Sequence, residues 1–90
     1  MESVNPGFSA QSVWFVTGCS TGFGRELARQ LLAQGCPTVV TARNPDDLAE
    51  FSGQTHALLL KLDVTEQAQI DAAVLAAEAH FGRIDVLVNN

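Results

Sequence analysis

Basic residues are scarce in this 90-residue chain: Arg25, Arg29, Arg43, Arg83 and Lys61 stand against ten acidic residues, for a net charge of −5. The five are scattered and form no run. Such a balance excludes nucleic acid and anionic membrane surfaces as natural partners. No apolar run approaches the roughly 18 residues needed to cross a bilayer. Met1 to Ser12 is polar, with Pro6 and Gly7, and carries no apolar core of a secretion signal. Cysteine is equally thin. Cys19 and Cys36 are formally able to pair, yet two cysteines make no disulfide framework, so both are expected as small thiols in a reducing cytoplasm. His56 and His80 have no acidic or cysteine neighbour at ligand spacing, so no metal site is assigned. No Ser/His/Asp or Cys/His nucleophile set can be assembled either. No catalytic residue is assigned.

What the chain has is apolar content: 47% of its residues, enough for one small domain or for part of a larger one. A chain of this length buries only about 60–65% of its unfolded surface. Residues 1–11 read as a flexible lead and residues 12–90 as the folded unit. The first strand is expected from Ser12 to Thr17, and a helix from Phe23 to Gln34, stopped by Gly35 and Pro37. A β-branched run, Thr38 to Ala42, predicts a strand covered on both faces. Asn44-Pro45-Asp46-Asp47 predicts a short helix capped by Asn44 and ending near Ser52-Gly53, with Asp46, Asp47 and Glu50 on its solvated face. His56 to Leu62 forms a third strand closing on Asp63-Val64. Thr65 then caps a helix from Glu66 to Phe81, with Ile70, Ala73, Val74, Ala77 and Phe81 in one stripe. Gly82 ends it, and Ile84 to Val88 is the last strand. The order βαβαβαβ calls for a parallel sheet with right-handed crossovers.

The organising stretch is Thr17-Gly18-Cys19-Ser20-Thr21-Gly22-Phe23-Gly24. A strand, a glycine-rich turn and a helix together present free backbone N–H groups to a phosphate. Gly18 suits a sharp exit from the strand, Gly22 leaves room for a diphosphate, and Gly24 lets the first helical turn lie close to the strand. The helix start adds roughly half a positive charge. A Walker A loop is excluded, because Arg25 follows Gly24 and no lysine stands nearby. The spacing also differs from G-x-G-x-x-G.

The pattern T-G-x-x-x-G-x-G resembles the short-chain dehydrogenase/reductase family, and the resemblance runs from the first strand to the end of the chain. Asp63-Val64 and Asn89-Asn90 match two further motifs of that family. The resemblance implies an α/β, three-layer, Rossmann-type fold with strand order 3-2-1-4, part of a doubly wound sheet, with the last helix on the opposite face from the other two. It also implies a dinucleotide cofactor held by Gly18, Ser20, Thr21, Gly22, Phe23, Gly24, Arg43, Asp63, Val64 and Asn90. There Asp63 contacts the adenine amino group and Val64 the ring, while the asparagines lie along the ribose and steady the sheet. Two readings of Asp63 stand, adenine contact or a helix cap. Asn89 and Asn90 serve the sheet or the ligand, and Ser20 and Thr21 the turn or the phosphate.

Cofactor choice is expected at the end of the second strand. An acid there would accept from the free 2′-hydroxyl of NAD, whereas this chain has Ala42 then Arg43, which leans toward NADP; the alternative is a plain surface arginine. Family enzymes use a Tyr-x-x-x-Lys pair and a serine in acid–base chemistry. This chain has no tyrosine, and its one lysine lies in the third strand. It is therefore expected to be the cofactor-binding half of an NADP-preferring enzyme acting on a carbonyl or alcohol, inactive alone. The alternative is a free-standing, non-catalytic nucleotide-binding or interaction module. Self-association through the open edge of the last strand is a further expectation.

Overall fold

The computed structural model describes residues 11–90. The expected flexible lead, apart from Gln11, lies outside the described residues. Four strands and three helical segments alternate: β1 (Trp14–Val16), α1 (Gly22–Ala33), β2 (Thr38–Ala42), a 3₁₀ helix (Pro45–Phe51), β3 (Ala57–Lys61), α2 (Gln67–Phe81) and β4 (Val86–Val88). All pairings are parallel, in the order β3-β2-β1-β4. The inner strands are β2 and β1, and in β1 Phe15 lies beside Val39 on one side and Leu87 on the other.

Alternation along the strands sorts side chains to two faces. On one, Val16, Val40 and Ala42 pack with Ala28, Leu31 and Leu32 of α1 and with Leu48 and Phe51 of the 3₁₀ helix. On the other, Phe15, Val39 and Leu62 pack with Ala73 and Ala77 of α2. The third helical segment thus covers the opposite face from the first two, as the strand order requires. Every residue of β2 is buried, which accounts for its β-branched run.

The strands are shorter than the apolar runs that predict them. Val13 is outside β1, yet it is pinned: its N–H donates to the Asp85 carboxylate at 2.7 Å and its carbonyl accepts from the Asp85 and Val86 N–H groups. Asn44 does cap the 3₁₀ helix, accepting from the Asp46 N–H at 3.0 Å. Thr65, in contrast, caps nothing. The cap position of α2 falls on Glu66, which makes no side-chain cap bond, because the Thr65 hydroxyl donates to the nearer Asp63 carboxylate at 2.6 Å. Glu50 is not merely solvated: its carboxylate pairs with Arg29, joining the 3₁₀ helix to α1. Leu75 and Leu87 remain well exposed, at 68% and 64%. Leu87, with Phe15, Ile70, Val74 and Ile84 among others, lines an apolar cleft of about 270 Å³. Among the described residues no helix is long and apolar enough to cross a membrane.

Candidate functional site

The chain leaves β1 through Thr17, whose N–H still donates to the Val88 carbonyl at 3.0 Å. Gly18 then turns with φ +65. Cys19 points inward. Its N–H reaches the Thr41 carbonyl at 2.8 Å, its thiol lies 3.3 Å from the Val16 carbonyl, and burial pushes its pKa up to about 11. Both cysteines are buried and free, so they are packing groups and not a disulfide.

The start of α1 is left open. Thr21 occupies the cap position without a side-chain cap bond, and the first turn holds no acid. The N–H groups of an uncapped first turn have no partner within the helix and are available to an anion. Gly24 sits beneath this turn: a Cβ there would stand 2.4 Å from the Gly18 carbonyl oxygen and 2.7 Å from the Asn90 amide nitrogen. Only glycine permits so close an approach. Gly22 differs, since nothing lies within 4 Å of its would-be Cβ, but its φ of +59 disfavours any side chain. Phe23 is 64% exposed.

The end of β4 is bolted to the same turn. The Asn90 N–H donates to the Thr17 hydroxyl at 2.8 Å, and the Asn90 amide donates to the Gly18 carbonyl at 3.0 Å. The Thr17 hydroxyl lies 3.3 Å from Asn89 Oδ1. The structural role of the asparagines is therefore explicit, and Asn90 faces the site as well.

A cleft of about 470 Å³ opens at the carboxyl ends of the strands. Of the ten residues singled out in the sequence, Gly18, Ser20, Thr21, Arg43, Asp63, Val64 and Asn90 line it. Gly22, Phe23 and Gly24 do not; they form the helix start behind it. Thr17, which opens the glycine turn, and Ala42, on which cofactor choice is expected to rest, line it too; sequence reasoning missed Asn44, Leu62 and Thr65, although each adjoins a predicted residue. Asp47 is exposed, as the helical reading expects, but it also lines the cleft, which that reading does not foresee.

Asp63 does not cap α2. Its Oδ1 accepts from both the N–H and the hydroxyl of Thr65, and the hydroxyl contact, followed by the N–H, holds its pKa below the usual carboxylate value. Its own N–H donates to the Gln69 side chain at 2.9 Å. Arg25 and Arg29 face Glu50, and Arg83 pairs with Asp85. Arg43 has no hydrogen bond or ion pair within reach among the described residues. No group of three or more metal-ligating side chains forms among the described residues.

The profile of the short chain dehydrogenase family matches residues 12–90. The chain belongs to that family. It is 45% identical over 87 residues to the oxidoreductase calM of Penicillium decumbens, covering 91% of this chain and 29% of that protein. It is 40% identical to human dehydrogenase/reductase SDR family member 7, covering 87% of this chain and 25% of the relative. Among solved structures, a short-chain dehydrogenase from Streptomyces avermitilis superposes with a TM-score of 0.83 at 40% identity, over 89% of this chain and 30% of that one. The 3-ketoacyl-(acyl-carrier-protein) reductase of Brucella melitensis, solved with NADH, gives 0.80 at 32% identity, over 88% and 34%. This short-chain dehydrogenase chain thus spans about a third or less of these relatives' lengths. Members of the family use NAD(P) cofactors, and the parallel sheet with its glycine turn is the part that matches.

Proposed function

We propose that the cleft binds an adenine dinucleotide, NADP in preference to NAD, and that the chain supplies the cofactor-binding part of an oxidoreductase acting between carbonyl and alcohol. The observation that carries cofactor choice is Arg43. It is the one arginine with no hydrogen bond or ion pair to a carboxylate among the described residues, acting on Asp63 only through space, and it lines the cleft directly after the buried Ala42. No acid occupies the end of β2 to accept from a free 2′-hydroxyl, and a guanidinium offers phosphate a planar fork. The uncapped start of α1, with Gly18, Ser20, Thr21, Gly22, Phe23 and Gly24, receives the diphosphate. Asp63 spends Oδ1 on Thr65, which leaves Oδ2 for the adenine amino group, with Val64 against the ring. Asn90 holds the turn in place while flanking the ribose. When bound, the nicotinamide would carry the hydride.

A second reading, a nucleotide-binding module without turnover, draws support from composition. The 90 residues hold no tyrosine, and their one lysine, Lys61, is exposed at the end of β3, so a Tyr-x-x-x-Lys pair is not among them. A missing general acid alone costs about 10²–10⁴-fold. A cytoplasmic location, and self-association through the β4 edge where Leu87 is exposed, belong to the same proposal.

Calorimetric titration with NADPH and NADH tests the reading. A charge-assisted contact from Arg43 predicts a roughly 10–150-fold preference for NADPH at low salt. Changing Ala42→Asp together with Arg43→Gln should reverse that preference. A preference that Arg43→Gln leaves unchanged would make Arg43 a plain surface charge, and no binding of either cofactor would remove the proposal altogether.

A further inference from the structure

Three charged side chains line the cleft: Arg43, Asp47 and Asp63. Asp63 is engaged by Thr65 through two hydrogen bonds. Asp47 is not engaged at all. Its carboxylate has no hydrogen bond or ion pair among the described residues, and it stays more than 4 Å from the Arg43 guanidinium. An acid in the first turn of a helix commonly serves the helix start. Here that task is already met, because Asn44 Oδ1 accepts from the Asp46 N–H and the Asn44 carbonyl accepts from the Asp47 N–H, each at 3.0 Å. The same two bonds fix the backbone that carries Asp47. The cleft therefore holds Arg43, whose charge acts on Asp63 through space without a contact, and Asp47, which has no partner among the described residues and stands four positions from the arginine on a braced turn.

We propose that Asp47 is a second selectivity residue of the cleft, opposing Arg43: its carboxylate repels a 2′-phosphate and offers an acceptor to the free hydroxyls of an unphosphorylated ribose. Arg43 alone would make the cleft strongly NADP-selective. With Asp47 beside it, selection is a difference between two opposed charges, so the preference is smaller than the arginine implies and responds sharply to salt. A unit charge roughly 8 Å from a doubly charged phosphate in water opposes binding by about fivefold before screening. This inference rests on the reading of the cleft as a dinucleotide site.

The test is titration of the full chain and of Asp47→Asn, Asp47→Ser and Arg43→Gln with NADPH and NADH at low and high salt. Both Asp47 variants should raise NADPH affinity about fivefold at low salt, leave NADH affinity equal or weaker, and lose the effect at high salt. A merely structural aspartate would instead move both cofactors together. If Arg43→Gln changes the NADPH/NADH ratio while neither Asp47 variant does, this inference is overturned and the dinucleotide reading stands. If the Asp47 variants change the ratio and Arg43→Gln does not, Asp47 keeps its role and the arginine reading falls. Absence of binding by the unmodified chain would overturn both.

Discussion

A single methyl group added at Gly24 is the sharpest test of how the site is built. In Gly24→Ala the new carbon would meet the Gly18 carbonyl oxygen at 2.4 Å, the Gly18 carbonyl carbon at 3.0 Å and Asn90 Nδ2 at 2.7 Å. Two of these are main-chain atoms that cannot rotate away. Relief requires the start of α1 to lift off the turn, or the 3.0 Å bond from Asn90 to the Gly18 carbonyl to break. Overpacking of this kind costs about 1–3 kcal/mol, and a main-chain clash belongs at the upper end. Alanine returns about 1 kcal/mol of helix propensity over glycine. The net loss is therefore about 1–2 kcal/mol, which lowers the melting temperature of a domain this size by roughly 5–15 °C.

Thermal unfolding followed by circular dichroism reads that shift directly. The clash with Gly18 does not depend on Asn90, so most of the loss must persist when Gly24→Ala is placed in an Asn90→Ala background. A melting temperature unchanged within about 2 °C, or a loss abolished by Asn90→Ala, would refute the packing argument. Gly22, expected to leave room for a diphosphate, is a less clean position to probe by Gly22→Val. With φ at +59, a β-branched residue at Gly22 strains the backbone whatever space is free, so stability and affinity fall together there.

Three further outcomes follow from ionisable and exposed groups. Burial favours the neutral Cys19 thiol, so iodoacetamide should leave it unmodified at neutral pH until denaturant is added; rapid labelling of the native chain would show the turn to be open. Because that pKa rises from 9.0 to about 11, the contribution to stability is intact below 9 and is lost as pH climbs between the two values. Asp85 is held low first by the Val13 N–H and then by Arg83, so its contribution is present above the ordinary carboxylate value and lost as pH falls through the depressed one. Asp85→Asn should flatten the acid limb of melting temperature against pH, and an unchanged limb would discard the link. Leu87→Lys should reduce association at high concentration by light scattering, whereas an unaltered apparent mass would clear the β4 edge of that role.

Much of this was legible because local and global signals agree. The apolar runs at Val13 to Val16 and Thr38 to Ala42, each followed by a helical pattern, leave few alternatives to a parallel sheet, and the observed order β3-β2-β1-β4 matches. The glycine spacing located the turn, because Gly18 needs a positive φ and Gly24 a missing side chain. Strand ends were less legible. Val13 reads as strand, yet its N–H partner is the Asp85 carboxylate 72 residues away. Thr65 reads as a cap, but whether its hydroxyl serves the helix or Asp63 depends on how the chain leaves β3. In α2 the expected stripe of Ile70, Ala73, Val74, Ala77 and Phe81 is the buried side, and Leu75, outside that stripe, faces solvent. Asp47 was the most instructive miss. A local reading sees an acid on a polar helix face, and only the side-by-side pairing of β2 with β3 brings that face to the cleft that Asp63 also lines.

The pattern of paired and unpaired charge bears on function as much as the glycines do. Away from the cleft, three arginines have carboxylate partners: Arg29 with Glu50, Arg25 with Glu50, and Arg83 with Asp85, while exposed Lys61 has no ion pair among the described residues. Each such exposed pair is a weak contribution to stability. Arg43 and Asp47 line one space without pairing, and Thr21 stands at a helix start without capping it. A sequence selected only for its fold would gain from closing these contacts, and a site that must exchange them for a ligand would not. The unmet groups include a cation, an anion and an open helix start, which together complement a ligand carrying phosphates and ribose hydroxyls. A bare phosphate site would not need the aspartate, and a sugar site would not need the arginine.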